Sequence, residues 1–142
     1  MARVDFYILS QEGIQSRNAF ACRLAEKAYR LEHTVHIHTI SRADAERMDD
    51  LLWTFRDGSF VPHELLVAGT DGKLAPVTIG YGDENVAPRD LLINLCDAIP
   101  PFAEAFPRVA ELVSSDDSSK QESRRRFATY RDHGHTLETH DV

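Results

Sequence analysis

Apolar positions recur along this chain with two different periods, and the alternation of those periods predicts its architecture. Residues 4–9 (VDFYIL) form a short, nearly continuous apolar run, the pattern of a strand buried on both faces. After a turn at residues 11–13, residues 14–31 place Phe20, Leu24, Ala28 and Leu31 on one stripe with Ala21 and Ala25 beside it, which predicts a long helix. Residues 34–40 (TVHIHTI) alternate β-branched residues with His36 and His38 and predict a second strand. Ser41 is the predicted N-cap of a second helix, with Asp44 three residues on in a capping-box-like start. Residues 64–75 carry no period. Residues 77–81 and 90–95 predict two more strands, separated by a polar, proline-containing loop. Pro100-Pro101 opens a short helix that Pro107 stops after Phe106, and residues 109–113 follow as a fifth strand. Asp116 and Asp117 favour the positive end of a last helix, Gly134 closes it near residue 133, and residues 136–140 complete the pattern as a strand. Strands alternating with helices predict a mostly parallel sheet with helices on both faces.

Within that pattern the stretch LLWTFRDGSFVPH, residues 51–63, concentrates the aromatic content. Met48, Leu51, Leu52 and Phe55 recur at helical spacing toward the inside, while Ala43, Arg47, Asp50 and Thr54 fall on the wet side. Asp57-Gly58 then marks a turn. Trp53, the one tryptophan, sits beside the apolar stripe instead of within it. Two readings follow: Trp53 and Phe60 close over the core, or they form an exposed patch able to anchor a protein partner.

Composition narrows the class. The 142 residues are 42% hydrophobic and 27% charged, as expected of one globular domain. No apolar run approaches the roughly 20 residues of a membrane span, and the N-terminus lacks a signal-peptide pattern. Cys22 and Cys96, with no CxxC spacing, are expected inside regular elements as reduced, buried thiols of a cytoplasmic protein.

The net charge of −7 is unevenly spread. Lys120, Arg124, Arg125, Arg126 and Arg131 gather five cations against the single acid Glu122, which leaves 11 basic and 22 acidic residues elsewhere. An acidic body disfavours duplex nucleic acid as the main ligand, because neutralising phosphates takes a broad basic face. Lys120, Arg124, Phe127 and Arg131 fall at i, i+4, i+7 and i+11 and so share one helix face. Cations flanking an aromatic suit a peptide that carries carboxylates and an apolar side chain. The alternative is a solvated basic face with Phe127 turned into the core.

Catalytic patterns are sparse. GYGDEN at residues 80–85 follows a strand but lacks the third glycine of a dinucleotide loop, and a plain turn accounts for it. The GxxxxGK[ST] phosphate loop, GxSxG and HExxH are missing from the sequence. His36 and His38 share a strand face, and His133, His135 and His140 cluster near the C-terminus. No accompanying ligand spacing makes either group a metal motif, and histidines at strand ends are expected to be solvated. No cofactor and no catalysis are expected.

FACRLAEKAYR (residues 20–30), LLWTFRDGSFVPH, PVTIGYG (76–82), DLLINL (90–95) and RRRFATYRDHGHTLETH (124–140) together resemble the chi subunit of bacterial DNA polymerase III, nearly end to end and in order. The resemblance implies a single-domain, three-layer α/β/α Rossmann-like fold with a mostly parallel sheet. It also implies a noncatalytic accessory role in the clamp-loader assembly during DNA replication. By the same resemblance, an aromatic patch matching Trp53 and Phe60, with Phe55 and Val61, contacts the psi subunit. A basic pocket matching Lys120, Arg124, Phe127 and Arg131, with Val113 and Phe102 as apolar neighbours, takes the acidic, phenylalanine-ending C-terminal tail of single-stranded DNA-binding protein. Contact with single-stranded DNA is then indirect. Ala128 stands where the family carries a lysine, with Arg125, Arg126 or Arg131 as candidates to supply the missing charge. The rival classes are a small nucleotide-binding α/β enzyme and an adaptor whose aromatic patch serves a DNA repair helicase.

Overall fold

The computed structural model describes residues 2–66, 75–82 and 86–142. Seven strands form one sheet: β1 (Arg3–Ile8), β2 (Val35–Thr39), β3 (His63–Leu65), β4 (Val77–Tyr81), β5 (Leu91–Asn94), β6 (Arg108–Val113) and β7 (Thr136–Asp141). Three helices accompany them: α1 (Ile14–Arg30), α2 (Arg42–Thr54) and α3 (Asp117–Asp132). The strand order is β3-β4-β2-β5-β6-β1-β7, and every described pairing is parallel.

Helices α2 and α3 start on capping side chains. The Ser41 hydroxyl accepts the Asp44 amide at 3.3 Å, so the predicted N-cap of α2 is in place. Asp116 caps α3 by accepting the Ser119 amide at 3.2 Å. Hydroxyls of Ser114, Ser118 and Ser119 also donate to Asp116 and hold its carboxyl far below the ordinary aspartate value. At the other end of α3, Gly134 takes φ 84°. Its amide donates to the Arg131 carbonyl at 3.0 Å and the His135 amide to the Tyr130 carbonyl at 3.2 Å, a Schellman closure that glycine permits.

Two apolar layers flank the sheet. Ala21, Cys22, Ala25 and Ala28 of α1 and Ala45, Met48 and Leu52 of α2 pack against Val35, Ile37, Val77, Ile79, Leu91, Ile93, Ala110 and Leu112. On the opposite face Tyr130 of α3, with Phe102, Ala103 and Phe106, packs against Val4, Phe6, Leu92, Val109 and Val113. Side chains alternate along each strand, so one strand feeds both layers. Connections toward the β3 edge carry α1 and α2 on one face, and the connection from β6 to β7 carries α3 on the other. Opposite directions on opposite faces keep a single crossover hand, as parallel sheets require. Among the described residues no helix is long and apolar enough to cross a membrane.

Several expectations need correction. The stretch after residue 63 is not wholly irregular: His63–Leu65 pairs with β4 as a short edge strand, too brief to show a period. Residues 67–74, from the same stretch, lie outside the described residues. Leu31 is exposed, since α1 stops at Arg30 and its buried stripe is made of small residues. The helix expected from Pro100 is a single 3-10 turn, Ala103–Ala105. Cys96 lies just past β5 and is only half-buried, although burial pushes its thiol up to about 12.

His36 and His38 are the largest departure, because both are fully buried. Thr78 Oγ1 lies 2.8 Å from His36 Nδ1, His36 Nε2 3.1 Å from His38 Nδ1, and His38 Nε2 2.8 Å from the Gly82 carbonyl. Reading back from that carbonyl, which only accepts, gives both rings the Nε2–H tautomer and lets the Thr78 hydroxyl donate to His36. Burial pushes His36 down to about 3, with His38 and Arg89 adding to it. Gly80 makes room for the pair: a Cβ there would lie 2.9 Å from His36 Cε1. The first glycine of GYGDEN is thus a packing requirement, and Gly82, at φ 69°, turns the chain. Residues 83–85 of that motif lie outside the described residues.

Candidate functional site

Two surfaces stand out, at opposite edges of the sheet. The first follows from how α2 ends. Beyond Thr54 the chain bends, Gly58 adopts φ 76°, and the Ser59 amide donates to the Arg56 carbonyl at 3.2 Å. From α1, buried Glu26 grips this turn, accepting from both Arg56 and the Ser59 hydroxyl, with Arg30 at 3.5 Å. Burial opposes ionisation of Glu26, yet these partners hold its carboxyl below the ordinary value. Two aromatic rings, Trp53 at the end of α2 and Phe60 after the turn, flank it and face outward. Trp53 is 54% exposed and Phe60 63% exposed, with ring centroids 5.6 Å apart. The exposed-patch reading of these residues therefore replaces the core-closing one.

Phe55 and Val61 do not share that exposure. Phe55 is half-buried against the layer beneath α1 and α2, and Val61 is 1% exposed within that layer. Val61 supports the turn from below and cannot present itself to a partner. His63, which carried no signal in the sequence beyond its place in the motif, lies tilted against Trp53 with centroids 4.6 Å apart.

The second surface lies along α3 where it crosses β1 and β7. Lys120, Ser123, Arg124 and Phe127 line a shallow pocket with Phe6, Ile8 and Thr139. Phe127 is half-buried, its ring tilted against Phe6 at 5.4 Å, so it is both floor of the pocket and lid of the core. Lys120 and Arg124 flank it. The i, i+4, i+7 spacing thus brings three predicted residues together. Phe6 and Ile8 were visible only as members of a continuous apolar strand, and Thr139 gave no signal.

Three predicted neighbours fall elsewhere. Arg131 is exposed beside Asp132, at 3.4 Å, and does not line the pocket. Val113 is buried under α3, and Phe102 packs edge-on against His36 and His38, at 6.2 and 4.8 Å between centroids. Of the charges proposed to offset Ala128, Arg126 is buried and committed to Glu111. Arg125 faces a separate depression lined by Asp97, Ala98, Ile99, Glu122 and Thr129.

Among the described residues, two further clusters have metal-ligand chemistry: Glu104, His133 and His135, and Asp5, Glu138 and His140. The Ala2 amide donates to His135 Nδ1 at 3.0 Å, so the ring proton sits on Nε2 and points at Glu104, 3.0 Å away. The lone pair a metal needs is therefore taken. Asp5 is held by Arg108 at 3.0 Å, Arg3 at 3.3 Å and His140 at 2.9 Å, and two guanidinium groups oppose a bound cation. Hydrogen bonds at the first cluster and ion pairs at the second account for their geometry.

The family model described as "DNA polymerase III chi subunit, HolC" matches residues 1–138. DNA polymerase III subunit chi of Pseudomonas aeruginosa is 42% identical over 140 residues, covering 99% of this chain and 96% of the relative. The proteins of that name from Haemophilus influenzae and Escherichia coli are 36% and 34% identical, covering 97% and 98% of this chain and 96% and 97% of theirs. Among solved structures, T4 UvsW superposes with a TM-score of 0.68 over 99% of this chain and 41% of UvsW. At 9% identity that likeness shows the fold alone. With the family model spanning nearly the whole chain and three full-length relatives above 30% identity, the chain belongs to the DNA polymerase III chi subunit family.

Proposed function

We propose that this subunit is a noncatalytic bridge in the replicative polymerase assembly. The Trp53–Phe60 surface engages the psi subunit, which tethers it to the clamp loader. The pocket formed by Lys120, Arg124 and Phe127 takes the acidic, phenylalanine-ending tail of single-stranded DNA-binding protein. The observation that carries this reading is the placement of the two surfaces. The aromatic one lies at the β3 edge beyond α2, and the basic one at the β7 edge under α3, on the opposite face. One molecule can thus hold two partners at once.

The chemistry of each surface fits its partner. Exposed aromatics in mutual contact supply the large apolar area typical of interface anchors. Two cations around an aromatic-floored pocket suit a terminal carboxylate and a phenylalanine side chain. With a net charge of −7, the molecule meets single-stranded DNA through the tailed protein and not by itself, and it acts in the cytoplasm, where the chromosome is copied.

The test is a three-component binding experiment with purified psi subunit and a synthetic tail peptide. Trp53→Ala should release psi and keep the peptide, and Arg124→Ala should do the reverse. Either variant releasing both partners while folded would refute two independent surfaces.

A further inference from the structure

His63 begins β3 with its side chain wholly shielded from solvent. Its Nδ1 lies 2.7 Å from the Val61 carbonyl oxygen, and its Nε2 lies 3.0 Å from the Asp49 carbonyl oxygen. The Asp49 carboxylate adds an oxygen 3.3 Å from the same Nε2. Carbonyl and ionised carboxylate oxygens only accept hydrogen bonds, whereas a neutral imidazole has one N–H and one lone pair. A neutral ring would therefore aim its lone pair at one of the two carbonyls, and no water can intervene where solvent does not reach. A ring with N–H on both nitrogens satisfies every one of these contacts.

The Trp53 ring lies beside this imidazole, 4.6 Å between centroids at a tilt of 54°. A cation close to an indole ring is favourable, most of all away from water. Asp49, from α2, is the charged group that the described residues set against His63. The turn supplies the uncharged Val61 carbonyl, and β4 supplies Val77, its register partner.

We propose that His63, carrying a proton on each ring nitrogen, is the positioning residue of the aromatic surface: it ties Asp49 of α2 to Val61 of the turn and holds Trp53 ready for a partner. The proposal rests on reading that surface as a partner anchor. An indole already held in place loses less freedom on binding, so the bridge raises affinity without touching the partner.

Ring-nitrogen NMR of 15N-labelled protein at pH 7 reads the state directly, with the His63 signals identified by their loss in His63→Gln. Two protonated nitrogens are expected, and a neutral tautomer in the folded protein would overturn the proposal. Trp53 is the one tryptophan, so its fluorescence follows the same contact. Imidazolium quenches a neighbouring indole, so the emission at pH 7 should be higher in His63→Gln than in the wild-type protein. Affinity for purified psi subunit should fall about tenfold in His63→Gln, the scale of ordering one large side chain. Unchanged affinity in that variant, with binding lost in Trp53→Ala, overturns the positioning role alone. No psi binding by the wild-type protein overturns the anchor reading, and the positioning role with it.

Discussion

Arg126 Nε of α3 donates to Glu111 Oε1 of β6 at 2.9 Å, and neither side chain is open to water. Tyr130 and Asn94 donate to Glu111 Oε2 at 2.8 and 2.9 Å, and Arg126 Nη1 reaches the Asp97 carbonyl at 2.7 Å. Burial pushes the Glu111 carboxyl up, against the opposing charge of Arg126 and three hydrogen bonds. One arginine of the basic run is thus consumed in docking α3, which sets how its neighbours Lys120, Arg124 and Phe127 face solvent.

Removing one partner of this buried pair strands the other. Arg126→Ala should cost about 3–5 kcal/mol of stability. Replacing both residues with apolar side chains of similar volume should recover much of that loss. Urea unfolding of the single and double variants measures both. A loss below 1 kcal/mol in Arg126→Ala would show that the pair is not critical to docking.

In the pocket, Lys120→Ala and Arg124→Ala should each weaken an acidic peptide ending in proline-phenylalanine by about 1–3 kcal/mol. Arg131→Ala should change it little, because Arg131 lies outside the pocket lining. Added salt should mimic the first two substitutions in part, since exposed charges are screened. Calorimetry at low and moderate salt checks the ranking, and an Arg131→Ala effect equal to that of Arg124→Ala would move the site along the helix.

Trp53→Ala and Phe60→Ala should each cost about 2–4 kcal/mol of psi binding while the melting temperature holds. Val61→Ala should act the other way round. Its side chain is buried, so about 1–3 kcal/mol of stability is lost to the cavity. Paired melting and binding measurements separate the two behaviours.

The buried histidine pair predicts acid sensitivity. His36 is held neutral, down to about 3, while the unfolded chain takes up a proton near the ordinary value of 6.5. Between those values the unfolded state binds more protons, so stability is complete above about pH 6.5 and declines as pH falls toward 3. The decline should be on the order of a few kcal/mol. Denaturant midpoints from pH 7 to pH 4, compared with His36→Phe, isolate the effect; an identical slope in both proteins would exclude His36 as its source. Gly80→Ala should destabilise at every pH, because its new methyl meets the His36 ring at 2.9 Å.

What the sequence determined by itself was local. Residues 4–9 and 109–113 show their strands because both faces of a parallel strand are apolar, and Ser41 and Asp116 mark helix starts because capping needs only a few consecutive residues. The Lys120–Arg124–Phe127 face was legible because helical spacing alone makes those residues neighbours. Tertiary structure decided whatever depended on residues distant in sequence. Arg126 looked like one more surface cation until Glu111, fifteen residues away, took it into the core. Phe102 and Val113 joined buried layers instead of the pocket, and Phe6, Ile8 and Thr139 entered it, because the β1–β6 and β1–β7 pairings bring distant segments under α3. Trp53 and Phe60 could have closed the core or left it. Glu26 of α1 settled the matter by pinning Arg56 and Ser59, a contact across some thirty residues that no periodicity encodes.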